Sequence, residues 1–312
     1  MQPRKVFRYR SFTSLTLDAL VRDEIFFSDP CAFNDPLDCQ PTVEADSGLA
    51  ELKELLFELI SRRVSYETAS SLRKNRVKNE AANQYASKLA QREAKDTLKR
   101  VTYYSTDPEY DCSQEEAEVW LLTVEIEREL LKRYGKGVCC FSSVYNNPLL
   151  WSHYGDQHNG LCIGYNLTRN PEPRLHKVTY GGSRIVPTSL INRAVTDRDQ
   201  EAIDLLDEYI LLRKASPWRY EREWRLFGHH GLQDSPLRMV EITFGLRCSD
   251  AVKHSIVSAL ENREGTIDFY EMYDVRGSFK LKRRPIDISE MRASYPRVAL
   301  SGIEMFGPVS EE

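Results

Sequence analysis

The sequence predicts an α+β fold, and three observations favour that class. Segments typical of strands outnumber segments typical of helices outside residues 49–134. No regular alternation of strand and helix runs along the chain, which argues against a doubly wound parallel sheet. Residues 49–104 show a long helical periodicity instead. We therefore expect a single α+β domain over residues 1–312, with a helical insertion at residues 49–134.

The N-terminal segment is predicted to form a strand, a helix, a second strand and a loop. KVFRYRSF alternates in the manner of a strand and places Arg8 and Arg10 on one face. TSLTLDALVRDE supplies Thr and Ser caps and an apolar stripe, which is typical of a short helix. EIFFSDP returns to strand character, and the Asn-Asp-Pro run in AFNDPLDCQP predicts a turn or a structured loop.

The helical insertion contains an excess of basic residues. Residues 62–100 hold eleven Lys or Arg against four Asp or Glu. These charges are mixed with Ala, Ser and Asn, which is typical of a solvated helical surface. The alternative is an electrostatic patch that contacts a polyanion.

The remainder of the chain is predicted to be mostly strands. GVCCFSS and LCIGYNL are short strands, separated by about two helical turns in NNPLLWSHYGDQHNG. Further strands are expected at HKVTYG, WRYEREWRLFG and RMVEITFG. A helix in SDAVKHSIVSALENRE precedes final strands in IDFYEMYDV and GSFKLKRR.

The segment WRYEREWRLFG is predicted to present two carboxylates from a strand. Trp and Tyr at every second position after Pro217 favour a strand over a helix. Glu221, Glu223 and Arg225 would then share one face, with the two carboxylates about 7 Å apart. Such a pair suits chemistry that develops positive charge on a sugar carbon, since one carboxylate stabilises that charge while the other positions or deprotonates the acceptor. An ion pair between either glutamate and Arg225 or Arg10 is the alternative.

A second polar group lies in WSHYGDQHNG. His153 and His158 are five residues apart, which is not the spacing that places two zinc ligands on one helical face. With Trp151, Tyr154 and Asp156, they suit either a pocket wall that stacks and hydrogen-bonds or a structural cluster.

Two further groups lie near the N-terminus. Asn34, Asp35 and Asp38 in FNDPLD suit a metal site, a helix cap or an Asx turn. Arg8 and Arg10 offer forked donors for phosphate.

Several common enzyme motifs are missing from the sequence. It contains no P-loop, no G-x-G-x-x-G and no G-x-S-x-G, while CFSS contributes only Ser142 and Ser143 at a strand end. The seven cysteines are odd in number and form no C-x-x-C pair, so the sequence suggests neither a disulfide framework nor a zinc ribbon, and for the leading function we expect no metal.

Composition constrains the partners. The net charge of -4 gives no whole-protein attraction to nucleic acid or to an anionic membrane. No stretch has the length and apolarity of a membrane span, and the basic N-terminus has no apolar signal core behind it. We therefore expect a cytoplasmic protein without membrane contact.

Five segments, taken in order, carry a family resemblance: FRYRSF, IFFSDPCAFNDPLDC, CFSS, LLWSHYGDQHNGLCIGYN and WRYEREWRLF. Together they resemble the bacterial and phage family catalogued as domain of unknown function 2971. The resemblance runs from Val6 to about Lys282 and is weakest over the helical insertion. The family name brings no activity with it, but the family's distribution suggests a toxin or antiphage-defence setting.

The order of an early Arg strand, a later strand ending in Ser and a late Glu-x-Glu strand is similar to the triad of ADP-ribosyltransferases. This second resemblance implies a split or strongly bent mixed or antiparallel sheet. It implies that Arg8 holds NAD near its phosphates and ribose, and that Ser142 or Tyr154 supports the nicotinamide side. It also implies that Glu223 binds the ribose hydroxyl and that Glu221 is the carboxylate on the acceptor side. Two departures are that no full serine-threonine-serine motif surrounds Ser142, and that Tyr154 lies in a segment the classical enzymes lack.

These interpretations predict an NAD-dependent ADP-ribosyltransferase or NAD glycohydrolase that takes NAD as a nucleotide substrate, with an acceptor left open between protein and nucleic acid. The expected catalytic residues are Glu223, Glu221, Tyr154 and His153. The expected nucleotide-binding residues are Arg8, Tyr9, Arg10, Asn34, Asp35, Ser142, Trp151, His158 and Arg225.

Two other functions stay open. One is a metal-dependent nuclease or phosphohydrolase, whose candidate residues are Asp35, Asp38, His153, Asp156 and His158. The other is a non-catalytic module that binds a nucleic acid or a protein through the basic insertion.

Overall fold

The computed structural model describes residues 2–76, 80–133 and 137–307, and it confirms the α+β class with a large mixed sheet. The helices are α1 (Ser14–Arg22), α2 (Leu49–Lys74), α3 (Glu80–Tyr104), α4 (Gln114–Arg133), α5 (Pro148–His153), α6 (Thr188–Asn192), α7 (Gln200–Leu211), α8 (Asp250–Leu260), α9 (Ile288–Ser294) and α10 (Gly302–Phe306).

The strands follow the predicted segments closely in the N-terminal half. They are β1 (Lys5–Arg10), β2 (Glu24–Phe27), β3 (Thr42–Glu44), β4 (Gly137–Ser142), β5 (Leu161–Asn166), β6 (His176–Lys177), β7 (Thr179–Tyr180), β8 (Ile185–Pro187), β9 (Arg213–Lys214), β10 (Glu223–Gly228), β11 (Gly231–Asp234), β12 (Arg238–Phe244), β13 (Asp268–Asp274) and β14 (Leu281–Pro285).

Eight strands form the main sheet, in the order β14-β13-β12-β5-β1-β4-β10-β6. Strands β12 and β13 pair in parallel, and the other neighbours pair antiparallel. β1 pairs with β5 along its whole length, from Lys5 to Arg10, whereas its register with β4 consists of Phe7 opposite Ser142. The sheet is therefore continuous on either side of β1 and β4, but these two strands are unpaired along most of their length.

Three apolar clusters surround the sheet. One packs α2, α3 and α4 against α6 and α7, and it includes Cys39 and Val43 from the segment after β2. The second covers one face of the sheet and includes residues of α8. The third, smaller cluster contains Phe7, Tyr9 and Trp151.

The helical insertion predicted at residues 49–134 contains α2, α3 and α4 within its described part. The predicted apolar stripe of α2, beginning at Leu52, is buried, and it faces Ala90 and Ala94 of α3 in the same cluster. Residues 77–79 of the basic segment and residue 134 lie outside the described residues.

The prediction of one strand over WRYEREWRLFG was wrong in its first half. Ser216–Glu221 form a 3-10 helix with Pro217 in its first turn, where the fixed φ of proline is compatible with helical geometry. Arg222 follows in the left-handed conformation, with φ 48°, and the strand begins at Glu223. The aromatic periodicity of Trp218 and Tyr220 therefore belongs to a tight helical turn.

A buried leucine tests the packing of the insertion. Leu122 of α4 is fully buried, so Leu122→Ala should lower the free energy of unfolding by about 2–5 kcal/mol through lost burial and a cavity. Leu15→Ala on α1 is the matched control, because that side chain is 76% exposed. Chemical denaturation of both variants checks this, and equal losses would contradict the core position of Leu122.

Candidate functional site

A cavity of about 280 Å³ lies where the main sheet opens between β1 and β4. Its volume is near the lower end of the range of about 300–1,000 Å³ that is typical of ligand pockets. Predicted site residues form much of its lining: Arg8, Tyr9, Arg10, Asn34, Ser142, Tyr154, Glu221 and Glu223. The segments that carry these residues are far apart in sequence, and the fold brings them to one place.

Two arginines of β1, Arg8 and Arg10, are among the residues that line the cavity. Arg8 donates a hydrogen bond from Nη2 to the carbonyl oxygen of Phe26 at 2.8 Å. Burial, together with the charge of Arg8, lowers the pKa of Arg10 from its ordinary value. Over the described ranges, neither Arg8 nor Arg10 has a carboxylate within 4 Å. This wall therefore has positive charge available for an anion.

A chain of hydrogen bonds lies at the opposite side. Asn34 donates from Nδ2 to the hydroxyl oxygen of Tyr154 at 3.2 Å, and that hydroxyl donates to Oε1 of Glu221 at 2.7 Å. Burial raises the pKa of Tyr154, and the negative charge of Glu221 raises it further. Tyr154 is thus a neutral hydrogen-bond donor that orients one oxygen of Glu221.

Glu221 and Glu223 belong to a buried ion cluster with Asp38, Lys214 and Arg225. Lys214 Nζ lies 2.6 Å from Glu221 Oε2, 3.0 Å from Glu223 Oε2 and 3.4 Å from Asp38 Oδ2. Arg225 donates to Glu223 Oε1 from Nε at 2.8 Å and to both oxygens of Asp38 from Nη2. With three carboxylates against two cations, the cluster has one unmatched negative charge when all groups are ionised.

The two glutamates respond differently to this environment. Burial alone would raise the pKa of Glu223, but the charges of Arg225 and Lys214 outweigh it and lower the value to about 2. Burial raises the pKa of Glu221, and the adjacent Glu223 charge adds to that effect against the opposing charge of Lys214. Of the two glutamates, Glu221 is therefore the one that takes up a proton more readily.

The hydroxyl of Ser142 is engaged in hydrogen bonds with the backbone around the cavity. Its Oγ donates to the carbonyl oxygen of Glu221 at 2.6 Å and accepts from the Val144 amide at 3.1 Å. Ser142 also pairs with Phe7 on one side and with Glu223 on the other. It holds the 3-10 turn against the end of β4.

Tyr9 lines the cavity through its ring. Its hydroxyl donates to the carbonyl oxygen of Val144 at 2.8 Å, and the ring meets Trp151 edge-on. Burial raises the pKa of Tyr9, which leaves it a neutral part of the wall.

The other predicted site residues do not line this cavity. Asp35 accepts from Leu37 N in an Asx turn and from Trp218 Nε1 at 2.7 Å. Trp151 is fully buried, and His158 stacks on it. His153 lies exposed beside Trp218, and Arg225 is fully buried behind Glu223.

Two residues that contact the glutamates were not expected from the sequence. Lys214 was not singled out, since a lysine just after an amphipathic helix ordinarily lies in solvent. Tyr180 was also missed; its hydroxyl accepts from the Glu223 amide at 2.7 Å. Asp38 was considered only as a metal ligand, cap or turn residue, whereas it binds Arg225.

The donors of the metal-dependent alternative are not brought together. Across the described part of the chain, no group of three or more His, Cys, Asp or Glu residues is arranged to hold a metal ion. Asp38 faces two cations, and Asp35 and His158 make the contacts given above.

No described helix is long and apolar enough to span a membrane.

Removing one charge from the cluster should be costly. Arg225→Met leaves the buried carboxylates Asp38 and Glu223 with Lys214 as their one cation in the cluster, so we expect a loss of about 3–5 kcal/mol in the free energy of unfolding. Arg284→Met, which breaks the exposed pair with Glu271, should cost less than about 1 kcal/mol. Urea denaturation compares the two, and a stable Arg225→Met variant would contradict the buried cluster.

The depressed pKa of Glu223 has a pH signature. A carboxyl with a folded-state pKa of about 2 stabilises the fold above its unfolded pKa of about 4.3, and this contribution is lost as pH falls through about 2. The stability difference between the wild type and Glu223→Gln should therefore shrink from about pH 5 towards about pH 2.

Denaturation of both proteins across that range measures the effect. The raised pKa of Glu221 acts with the opposite sign, and part of that shift comes from the charge of Glu223, so the comparison is repeated with Glu221→Gln in both proteins to isolate Glu223. A difference that stays constant with pH would contradict the assignment.

Comparison with family models gave one match, to the family described as "Protein of unknown function (DUF2971)", over residues 150–226, about a quarter of the chain. No curated protein and no solved structure gave a match. The matched segment supplies Tyr154, Lys214, Glu221 and Glu223 to the cavity, whereas Arg8 and Arg10 precede it. The predicted resemblance to domain of unknown function 2971 is thereby confirmed over residues 150–226.

Proposed function

We propose that the protein is an NAD-dependent ADP-ribosyltransferase-like or NAD glycohydrolase-like enzyme. The observation that carries the proposal is a single cavity lined both by Arg8 and Arg10, which have no carboxylate within 4 Å among the described residues, and by the hydrogen-bonded pair of Tyr154 and Glu221. The opening of the sheet between β1 and β4 supports the ADP-ribosyltransferase-like part of the proposal. The cavity volume suits the phosphate and ribose portion of the dinucleotide better than the whole molecule.

Arg8 and Arg10 bind the phosphate end in this proposal. Both project from the same face of β1, where their donors can share the oxygens of one diphosphate. Binding an anion there also relieves the repulsion between the two cations, which contributes to the lowered pKa of Arg10.

Glu221 takes the reactive role at the other end. Both oxygens of Glu223 already accept from Arg225, and Oε2 also accepts from Lys214, whereas Oε1 of Glu221 receives the Tyr154 hydroxyl alone among the described residues. A carboxylate oxygen has two lone-pair directions, so Glu221 retains acceptor capacity. Glu223 then positions Lys214, which in turn holds Glu221.

The reaction breaks the bond between the ribose carbon and the nicotinamide nitrogen. The bonding electron pair leaves with nicotinamide, which departs neutral because the ring was cationic. Water or another nucleophile forms the new bond at the ribose carbon, and ionised Glu221 stabilises the developing positive charge and accepts the nucleophile's proton.

Nicotinamide release from NAD tests the proposal. Glu221→Gln should reduce the rate by at least about 100-fold while NAD binding is retained, since loss of a general base typically costs that much. Arg10→Met should weaken NAD binding, because it removes the cation and keeps the length of the side chain. The rate of the wild type should fall on the acid side at a pH above the ordinary glutamate range, because the pKa of Glu221 is raised.

Glu264→Gln, in an exposed turn, is the matched control and should leave both rate and binding unchanged. Circular dichroism establishes that each variant is folded. A folded wild type that neither binds NAD nor releases nicotinamide would overturn the proposal, as would full activity in Glu221→Gln.

A further inference from the structure

A second groove, of about 910 Å³, lies beside the cavity and shares Glu223 with it. Its lining combines cations and aromatic rings from β6, β7, the 3-10 turn and the start of β10. These residues are Lys177, Arg219, Arg222, Tyr180, Tyr220 and Trp224.

The backbone at Arg222 explains why the cations gather on this side. Glu221 and Glu223 are buried in the ion cluster, while the intervening Arg222 is exposed in the left-handed conformation. Arg219 is also exposed, on the 3-10 turn, as is Lys177 on β6. The turn therefore directs carboxylates inwards and cations outwards.

The three cations have no carboxylate partner within 4 Å in the residues that the structure describes. Glu223 is the acidic residue in the groove lining, and it is occupied by Lys214 and Arg225. In a protein with a net charge of -4, this is a local positive surface that suits a polyanion.

The rings decide which polyanion fits. Tyr180, Tyr220 and Trp224 are all half-buried along the same groove. Unpaired bases stack on aromatic side chains while cations follow the phosphates, whereas an acidic peptide offers no flat faces and a duplex hides its own.

We propose that a single-stranded nucleic acid binds in this groove, with its phosphates on Lys177, Arg219 and Arg222 and its bases against the three rings. Because Glu223 lies between the groove and the cavity, the bound strand lies next to Glu221. Its role as the acceptor of an ADP-ribosyl group rests on the proposed function, but its binding does not.

Fluorescence anisotropy without NAD tests binding by itself. The probe is a labelled single strand of about 12 nucleotides, as DNA and as RNA, titrated at several salt concentrations. Contact with three phosphates predicts a slope of log K against log salt of about -2. The duplex of the same length should bind more weakly, and polyglutamate should compete poorly.

Arg222→Gly is the informative charge variant, because glycine adopts φ 48° without strain. It should weaken binding and reduce the salt slope by about 0.7. Arg198→Gly is the matched control, since Arg198 is also an exposed arginine in the left-handed conformation, with φ 55°, but lies outside the groove. Arg219→Ala gives a second test on an exposed side chain.

Tyr220→Leu should weaken binding about tenfold at an unchanged salt slope, because leucine retains apolar bulk but does not stack on a base. Undetectable binding by the folded protein would overturn the proposal. So would binding that ignores Arg222→Gly and Arg219→Ala but is lost in Lys88→Ala/Lys95→Ala, since that result places the strand on the helical insertion. Equal competition by polyglutamate, or equal affinity for the duplex with no effect of Tyr220→Leu, would also overturn it.

Discussion

The fully buried guanidinium of Arg225 is the constraint on which the glutamate side of the cavity, lined by Glu221 and Glu223, depends. Arginine cannot lose its proton in a protein, so its burial requires carboxylates within reach. Asp38 lies in the loop after β2, and Glu223 lies on the same strand as Arg225. Lys214 of β9 binds both of these carboxylates. Pairs of this kind add little net stability, but leaving one unpaired is costly. Their effect here is to hold three separate segments in one arrangement.

The second constraint is the junction of β1 and β4 at Phe7 and Ser142. This one residue pair joins β1 to β4, and the cavity lies where the two strands are not paired. Ser142 also donates to the backbone carbonyl of Glu221, so the residue at which pairing ends also fixes the backbone of Glu221. The cavity is lined accordingly by Arg8 and Arg10 of β1, which have no carboxylate within 4 Å in the described part of the chain, and by the two glutamates of the ion cluster.

Sequence patterns predicted local structure better than they predicted partners. The alternation around Arg8 and the caps of α1 were enough for the first strand and helix, because both signals are local. The helix α7 was missed although Asp199 caps it and apolar residues line one face. The burial of Lys214 was not predicted, since it depends on Asp38 from a distant segment and on the 3-10 turn that brings Glu221 back towards Lys214. The 3-10 turn was predicted as part of a strand, because aromatic spacing alone does not distinguish a strand from a short 3-10 turn. The left-handed residue Arg222, which separates the turn from the strand, was not predicted.

The core formed by α2, α3 and α4 has a consequence for how the cavity is built. Cys39 and Val43, just after Asp38, pack into that core, and so does Leu211 at the end of α7, three residues before Lys214. Two members of the ion cluster are thus anchored to the insertion rather than to the main sheet. The insertion therefore supports the glutamate side of the cavity, and a chain trimmed to the sheet alone would lose the positions of Asp38 and Lys214 while leaving Arg8 and Arg10 on β1.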